Sequence, residues 1–294
     1  MKGIILAGGS GTRLHPLTHA LSKQLLPVYN KPMIYYPLSV LMLAGIRDIL
    51  VISTPDQIDI YRALLGDGGQ LGVSIDYVTQ EEPRGIADAF VIGADYIGSD
   101  PVTLILGDNI FHGPNFSALL AEATRDVSGC VLFGYSVKDP ERYGVGEVDT
   151  EGRLLHIEEK PSRPRSNLAI TGLYIYDNDV VDITKNLSPS PRGELEITDV
   201  NTVYLEQGRA RLVDLGRGFA WLDTGTPDSL LQAGQYVQVL EQRQGVRIAC
   251  VEEIAMRMGY IDAGACYRMG VAMGNSDYGL YLMDLASGRQ RGQR

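Results

Sequence analysis

The stretch Gly3-Ile4-Ile5-Leu6-Ala7-Gly8-Gly9-Ser10-Gly11-Thr12-Arg13-Leu14 runs an apolar segment straight into a glycine loop. Lys2 to Leu6 reads as a buried strand, and Gly8, Gly9 and Gly11 give the loop dihedral freedom and bare backbone that can approach phosphate oxygens. It is not a P-loop, because no Gly-Lys-Ser/Thr follows at the required spacing. Nor is it a dinucleotide fingerprint, since Thr12-Arg13-Leu14 stands where the third glycine belongs. Arg13 adds a planar cationic fork suited to phosphate, and Lys23 a second cation ten positions on.

Outward from that loop, short apolar runs alternate with helix-like stretches. Helices are expected over Pro32 to Ala44, Gln57 to Leu65, Gly85 to Ile97 and Asn115 to Thr124. Strands are expected over Ile49 to Ser53, Val73 to Val78, Val102 to Leu106 and Gly129 to Ser136. The pattern is α/β of the doubly wound type, a mostly parallel central sheet with helices on both faces. Past Tyr143, Gly146 to Asp149 and Arg153 to Glu158 flank a Glu-Gly turn and read as an inserted antiparallel hairpin. A strand Ala169 to Tyr176, helices Asn178 to Leu187 and Glu196 to Gln207, and two strands around Gly216-Arg217-Gly218 follow. Pro227 suits the first position of a helix reaching about Gln242, and the tail from Cys250 is helical up to a polar tip, Arg289 to Arg294, expected to fray. The organisation expected is a main domain over 1–245 and a helical C-terminal region over 246–294.

Composition narrows the function classes. The chain has 294 residues, 45% of them apolar, and 36 acidic against 26 basic side chains give a net charge of −10. That excess opposes a broad nucleic-acid footprint and favours solubility. Three cysteines without a CxxC and four histidines support neither a disulfide framework nor a zinc site. The most apolar stretch, Val40 to Ile52, contains Arg47 and Asp48, so no membrane span is expected and the cytoplasm is the simplest location.

Asp108 follows the strand Val102 to Leu106 and should project at the carboxyl end of the sheet, where open α/β folds bind ligands. Asp223, beside Trp221, either converges on the same point, giving an oxygen-rich site suited to magnesium, or serves as a turn or capping aspartate before Pro227.

With those residues in view, the chain resembles the sugar-1-phosphate nucleotidyltransferases. The resemblance is carried by the glycine loop, Ser22-Lys23-Gln24-Leu25-Leu26-Pro27, Gly107-Asp108-Asn109-Ile110-Phe111, Glu159-Lys160-Pro161, Gly193-Glu194-Leu195-Glu196-Ile197-Thr198-Asp199 and Trp221-Leu222-Asp223-Thr224-Gly225-Thr226. More narrowly, these motifs are similar to those of the glucose-1-phosphate thymidylyltransferases, in family order over nearly the whole chain.

The resemblance implies a Rossmann-like nucleotidyltransferase fold and a reaction of dTTP with glucose 1-phosphate to give dTDP-glucose and pyrophosphate, the first step toward dTDP-rhamnose and related deoxysugars. It implies Mg2+ on Asp108 and Asp223, catalytic cations Arg13, Lys23 and Lys160, and nucleotide contacts from Gly8, Gly9, Gly11, Thr12, Arg13, Lys23, Gln80 and Gly85. Asn109, Tyr143, Gly144, Glu159, Lys160 and Arg192 would hold the sugar phosphate, making 1–245 the catalytic domain with its sugar-binding part mainly 140–225, and 246–294 an interface or regulatory region. A homotetramer is implied, with dTDP-rhamnose inhibiting at a second site built from His112, Gly113, Arg217, Glu253, Ile254 and Arg257.

Two departures from the family pattern carry expectations of their own. Asp88 stands where the family commonly has Gln and is expected on an exposed helix face, and His112 stands where it commonly has Tyr. The histidine suggests inhibition that weakens as pH rises through about 6 to 7. Two other classes compete with the enzyme reading. A nicotinamide or flavin oxidoreductase conflicts with the missing third glycine, and a non-catalytic nucleotide-sugar sensor conflicts with the presence of Arg13, Lys23, Asp108, Lys160 and Asp223.

Overall fold

A computed structural model describes residues 1–9 and 11–288, so the expected fraying of Arg289 to Arg294 lies outside the described residues. The strands Lys2–Leu6, Asp48–Ser53, Ser74–Thr79 and Val102–Leu106 form a parallel set with Lys2–Leu6 between Asp48–Ser53 and Val102–Leu106. Leu168–Tyr176 then joins Val102–Leu106 antiparallel, Cys130–Ser136 pairs antiparallel with Leu168–Tyr176, and Ala210–Asp214 adds parallel to Cys130–Ser136. The sheet is therefore mixed, with the hairpin Gly144–Val148 and Leu154–Glu159 attached through Val145 opposite Ala169.

The three inner parallel strands, Lys2–Leu6, Asp48–Ser53 and Val102–Leu106, are buried on both faces, which is why they read as continuous apolar runs rather than alternating ones. Ile5, Val51 and Ile105 enter one core while Ile4, Leu50, Ile52 and Leu104 enter the other. Helices cover both: Tyr35–Leu43 and Phe116–Ala123 contribute to the first core, and Asp88–Ile92 and Ile197–Glu206 to the second.

Three elements differ from the sequence reading, each for a physical reason. The expected helix Pro32 to Ala44 begins at Tyr35, because Lys31–Pro32 is extended and pairs with Pro27–Val28. The later start also leaves Pro37 in the first turn, where its missing N–H costs no helical bond. The expected helix Gly85 to Ile97 is two short helices, Asp88–Ile92 and Ala94–Ile97; Gly85 has φ +104°, outside helical space. Finally, the strands on either side of Gly216-Arg217-Gly218 do not pair with each other. Ala220–Asp223 pairs antiparallel with Asn109–His112, a strand the sequence reading missed.

The C-terminal elements follow the reading closely. Pro227–Gln244 is a helix with Pro227 at its start, and Thr226 and Ser229 close a reciprocal capping box at the entry. The helices Val251–Arg257, Ala263–Ala272 and Asp277–Ala286 complete the described chain. Cys130, Cys250 and Cys266 are buried free thiols. Among the described residues no helix is long and apolar enough to cross a membrane.

Candidate active site

The carboxyl ends of the parallel strands converge on the glycine loop. Behind it, Ser53 Oγ and Tyr61 OH donate to the Ala7 carbonyl at 3.0 and 3.3 Å, while Thr18 Oγ1 donates to the Gly11 carbonyl at 2.8 Å. The loop's carbonyls are thus held from one side. The N–H groups of Gly8, Gly9 and Gly11 donate to no described residue, and φ of +110° at Gly9 and +55° at Gly11 gives the loop its path. A row of unused N–H donors at the end of a strand is an anion cradle. Thr12 and Arg13 lie in the short turn that follows, with Arg13 exposed.

Asp108 stands beside this loop and accepts a direct ion-paired hydrogen bond from Lys23. Asn109 supports it: its Nδ2 donates to Asp108 Oδ1 at 2.9 Å, while its Oδ1 accepts from Trp221 Nε1 at 2.6 Å and from the Gly172 N–H at 3.1 Å. Asn109 is 3% exposed and both ends of its amide are engaged, so it positions Asp108 and Trp221 within the cleft wall.

The ladder missed by the sequence reading brings Asp223 to Asp108. Its register sets Asp223 opposite Asn109, and beyond it Thr224 Oγ1 donates to the Asp108 carbonyl at 2.8 Å. Of the two readings left open for Asp223, convergence holds. Burial raises the Asp223 carboxyl, and the Asp108 carboxylate raises it further against Lys23, Arg142 and Arg13. Burial acts upward on Asp108 as well, but the Lys23 charge and hydrogen bond overcome it and hold Asp108 below the usual range. Arg142, which the sequence reading passed over, reaches Asp223 Oδ2 at 3.4 Å and Asp139 at 2.6 Å.

Beyond the two aspartates opens a cleft lined by Tyr143, Gly144, Glu159, Lys160, Arg192 and Trp221 among others. Glu159 is its central acid: Thr198 Oγ1 donates to it at 2.6 Å and Lys160 Nζ lies 3.0 Å away. Lys160 follows the strand Leu154–Glu159 with φ +44°, a conformation uncommon for a residue with a side chain, and its N–H donates to the Tyr143 carbonyl. Arg192 makes a two-pronged bond to Glu196 at 2.9 Å on each oxygen and stands 3.8 Å from Glu159. The Tyr143 ring packs edge-on against Trp221 with centroids 5.0 Å apart. A side chain on Gly144 would come within 3.2 Å of Thr198 Oγ1, so glycine keeps this wall open.

Gln80 and Gly85 are not among the residues that line that cleft. Gln80 Oε1 would stand 3.3 Å from a Cβ placed on Gly8, and a Cβ on Gly85 would strike the Leu195 carbonyl at 2.4 Å. Asp88 is not on an exposed face: it is 1% exposed and bonded to Gln80 and Arg84.

A second cleft collects His112, Gly113, Glu253, Ile254 and Arg257, with Arg257 Nε donating to Glu253 at 2.7 Å. Arg217 does not line it; it is exposed in the turn before Ala220–Asp223. Burial lowers His112 below the ordinary value of 6.5, so any pH dependence it confers moves toward lower pH.

A family model described as Nucleotidyl transferase matches residues 2–239. The chain belongs to the nucleotidyltransferase family. Among curated relatives, this nucleotidyltransferase is 56% identical over 285 residues to the glucose-1-phosphate thymidylyltransferase of Xanthomonas campestris pv. campestris (strain B100), covering 97% of each chain. It is likewise 56% identical to that of Mycobacterium tuberculosis (strain ATCC 25618 / H37Rv), covering 97% of this chain and 99% of the relative. A solved Bacillus anthracis protein, described as a glucose-1-phosphate thymidylyltransferase in complex with sucrose, superposes with a TM-score of 0.75 at 42% identity, covering 80% of this chain and 94% of that one. A UDP-glucose pyrophosphorylase complexed with UDP-glucose gives a TM-score of 0.68 at 25% identity, covering 81% and 98%. Within the family, this nucleotidyltransferase groups with the glucose-1-phosphate thymidylyltransferases.

Proposed function

We propose that the chain transfers the thymidylyl group of dTTP to the phosphate of glucose 1-phosphate, forming dTDP-glucose and releasing pyrophosphate. The observation that carries this reading is the position of Asp108 and Asp223. They stand between an anion cradle on one side and a cleft with a hydroxyl-binding acid and two cations on the other.

An oxygen of the sugar phosphate attacks the α-phosphorus and the P–O bond to pyrophosphate breaks, so no protein nucleophile is required. The difficulty is charge, since a single pair of like unit charges at 4 Å costs roughly 4 kcal/mol at an effective dielectric near 20. The loop N–H groups, Arg13 and Lys23 take the β- and γ-phosphates and the departing pyrophosphate. Lys160 and Arg192 hold the attacking phosphate, and Glu159, with Thr198 fixing one oxygen, accepts from sugar hydroxyls. Tyr143 and Trp221 give the sugar an apolar wall. Positioning of this kind, rather than acid–base chemistry, supplies most of the rate.

The residues present fit a divalent cation. Two half-buried carboxylates line one cleft and Asp223 is raised partly by its neighbour, a repulsion that a cation relieves. Their oxygens are hard donors of the kind Mg2+ selects. Held by Asp108 and Asp223, Mg2+ supplies charge neutralisation and polarisation at the α-phosphate.

The second cleft, with His112, Gly113, Glu253, Ile254 and Arg257, is a regulatory site for a nucleotide sugar such as dTDP-rhamnose, in a homotetramer whose C-terminal region over 246–294 contributes to it. Incubating the chain with dTTP, glucose 1-phosphate and Mg2+ should yield dTDP-glucose and pyrophosphate in equal amounts by anion exchange. Conversion of dTTP to dTMP and pyrophosphate without a sugar nucleotide would overturn the reading.

A further inference from the structure

Gln80 follows the edge strand Ser74–Thr79, its N–H held by the Ser53 carbonyl at 2.8 Å, and its side chain faces the glycine loop. A glutamine amide has two ends of nearly equal shape, one donating and one accepting. Which end meets a ligand is decided by whatever bonds the other. Here the other end is bonded: Gln80 Nε2 donates to Asp88 Oδ2 at 3.0 Å. A carboxylate offers no donor, so it accepts the NH2 group and refuses the oxygen. Asp88 is in turn fixed by the donor-only guanidinium of Arg84, whose Nη2 donates to Asp88 Oδ1 at 2.9 Å. The bonds run in one direction, from Arg84 to Asp88 and from Gln80 to Asp88, and leave Gln80 Oε1 against Gly8.

We propose that Arg84 and Asp88 together lock the amide of Gln80 with its oxygen toward the nucleotide. The locked pocket accepts a base whose pairing edge presents an N–H, thymine or uracil, and refuses cytosine, whose corresponding ring atom is a bare acceptor. Asp88 is a positioning residue: it touches Gln80 and not the nucleotide. The inference rests on the nucleotidyltransferase reading above and adds the device that sets base choice. It also gives a role to a buried charge, which is costly to retain unless its bonds are needed.

An acceptor facing an acceptor leaves both unpaired, a loss that corresponds to about 10- to 100-fold in kcat/KM. Asp88→Asn keeps the shape but supplies one oxygen and one NH2. Arg84 claims the oxygen, the new NH2 faces Gln80, and the Gln80 amide turns to present its own NH2 to the loop. The ratio of kcat/KM for dTTP to that for CTP should then fall by at least about 10-fold. The change should come through the nucleotide KM, with the KM for glucose 1-phosphate unmoved. Asp88→Glu, still acceptor-only, should keep the wild-type ratio even where its KM values shift.

Asp88→Ala frees the amide to turn either way and should give an intermediate ratio, so the inference stays testable if the asparagine variant folds poorly. A wild-type ratio in both the asparagine and alanine variants would overturn it. Wild-type enzyme active on dTTP and CTP alike would overturn this inference alone. Wild-type protein inactive with every nucleotide would overturn the nucleotidyltransferase reading and this inference with it.

Discussion

Replacing Asp223 with asparagine separates what the residue does for the reaction from what it does for the fold. Asp223 closes the ladder with Asn109–His112, and its neighbour Thr224 is tied to the Asp108 carbonyl by its N–H and its hydroxyl at 3.3 and 2.8 Å. None of those backbone-side contacts needs the carboxylate, which pairs with Arg142 at 3.4 Å. The isosteric amide therefore leaves the local structure in place.

For stability the sign is set by the upward shift of Asp223, caused first by burial and then by Asp108. A carboxyl raised in the folded state favours folding at pH below its ordinary value of 3.8 and loses that contribution as pH rises through its folded value. At neutral pH the ionised group opposes folding, and Asp223→Asn removes the opposition. The melting temperature should hold or rise.

For the reaction the sign reverses. One carboxylate charge lost beside a cation or a triphosphate removes roughly 4 kcal/mol of interaction at 4 Å and an effective dielectric near 20, of which rearranged water recovers part. The remaining ~2.7–4 kcal/mol corresponds to a loss of about 10²- to 10³-fold in turnover. A coupled pyrophosphate assay and thermal denaturation on the same preparation read both quantities. Turnover within 10-fold of wild type, or a melting temperature lowered by several degrees, would refute the reasoning.

Two further outcomes follow from side chains outside the two aspartates. Glu241, 5% exposed, accepts from Lys31, Arg247, Asn30 and the Ile248 N–H at 2.7 to 3.0 Å, so Glu241→Ala strands the buried Lys31, leaves Arg247 with Asp277 alone, and should cost about 3–5 kcal/mol in urea unfolding. Burial acts upward on Glu241 but Lys31 and Arg247 hold it below 4.5, so its contribution is present at neutral pH and is lost as pH falls through its lowered value. Less than 1 kcal/mol in urea would contradict this account. Thr198→Val removes the hydroxyl that fixes Glu159 and should raise the KM for glucose 1-phosphate about 10-fold while leaving the nucleotide KM in place; equal shifts in both would count against the sugar role of Glu159.

The sequence showed most clearly those features that depend on local order. The buried strand Lys2–Leu6, its glycine loop and the placement of Asp108 after Val102–Leu106 are set within a few residues of one another, and each was legible. For Asp223 the residues left two readings open, because its position depends on pairing between Ala220–Asp223 and Asn109–His112, a four-residue strand that follows a two-residue turn and reads as loop. Arg142 sits in the short turn Pro140–Arg142 and looks like a surface charge until Asp223 is in place. Asp88 misled for the opposite reason. Charge in a helix signals exposure, and only its two partners, Gln80 eight residues before it and Arg84 four before it, explain its burial. Asn109 lines the cleft, and the bonds that fix its amide, to Asp108 beside it and to the distant Trp221, are set by the fold rather than by local order.

The most direct test of the central claim is pyrophosphate release by the full chain for dTTP, UTP and CTP, each crossed with glucose 1-phosphate and other sugar 1-phosphates, with Mg2+ and with a chelator. The account predicts the fastest release with dTTP and glucose 1-phosphate, loss without the metal, and no release when the sugar phosphate is omitted. Release that proceeds equally without a sugar 1-phosphate, or none with any pair, would contradict it.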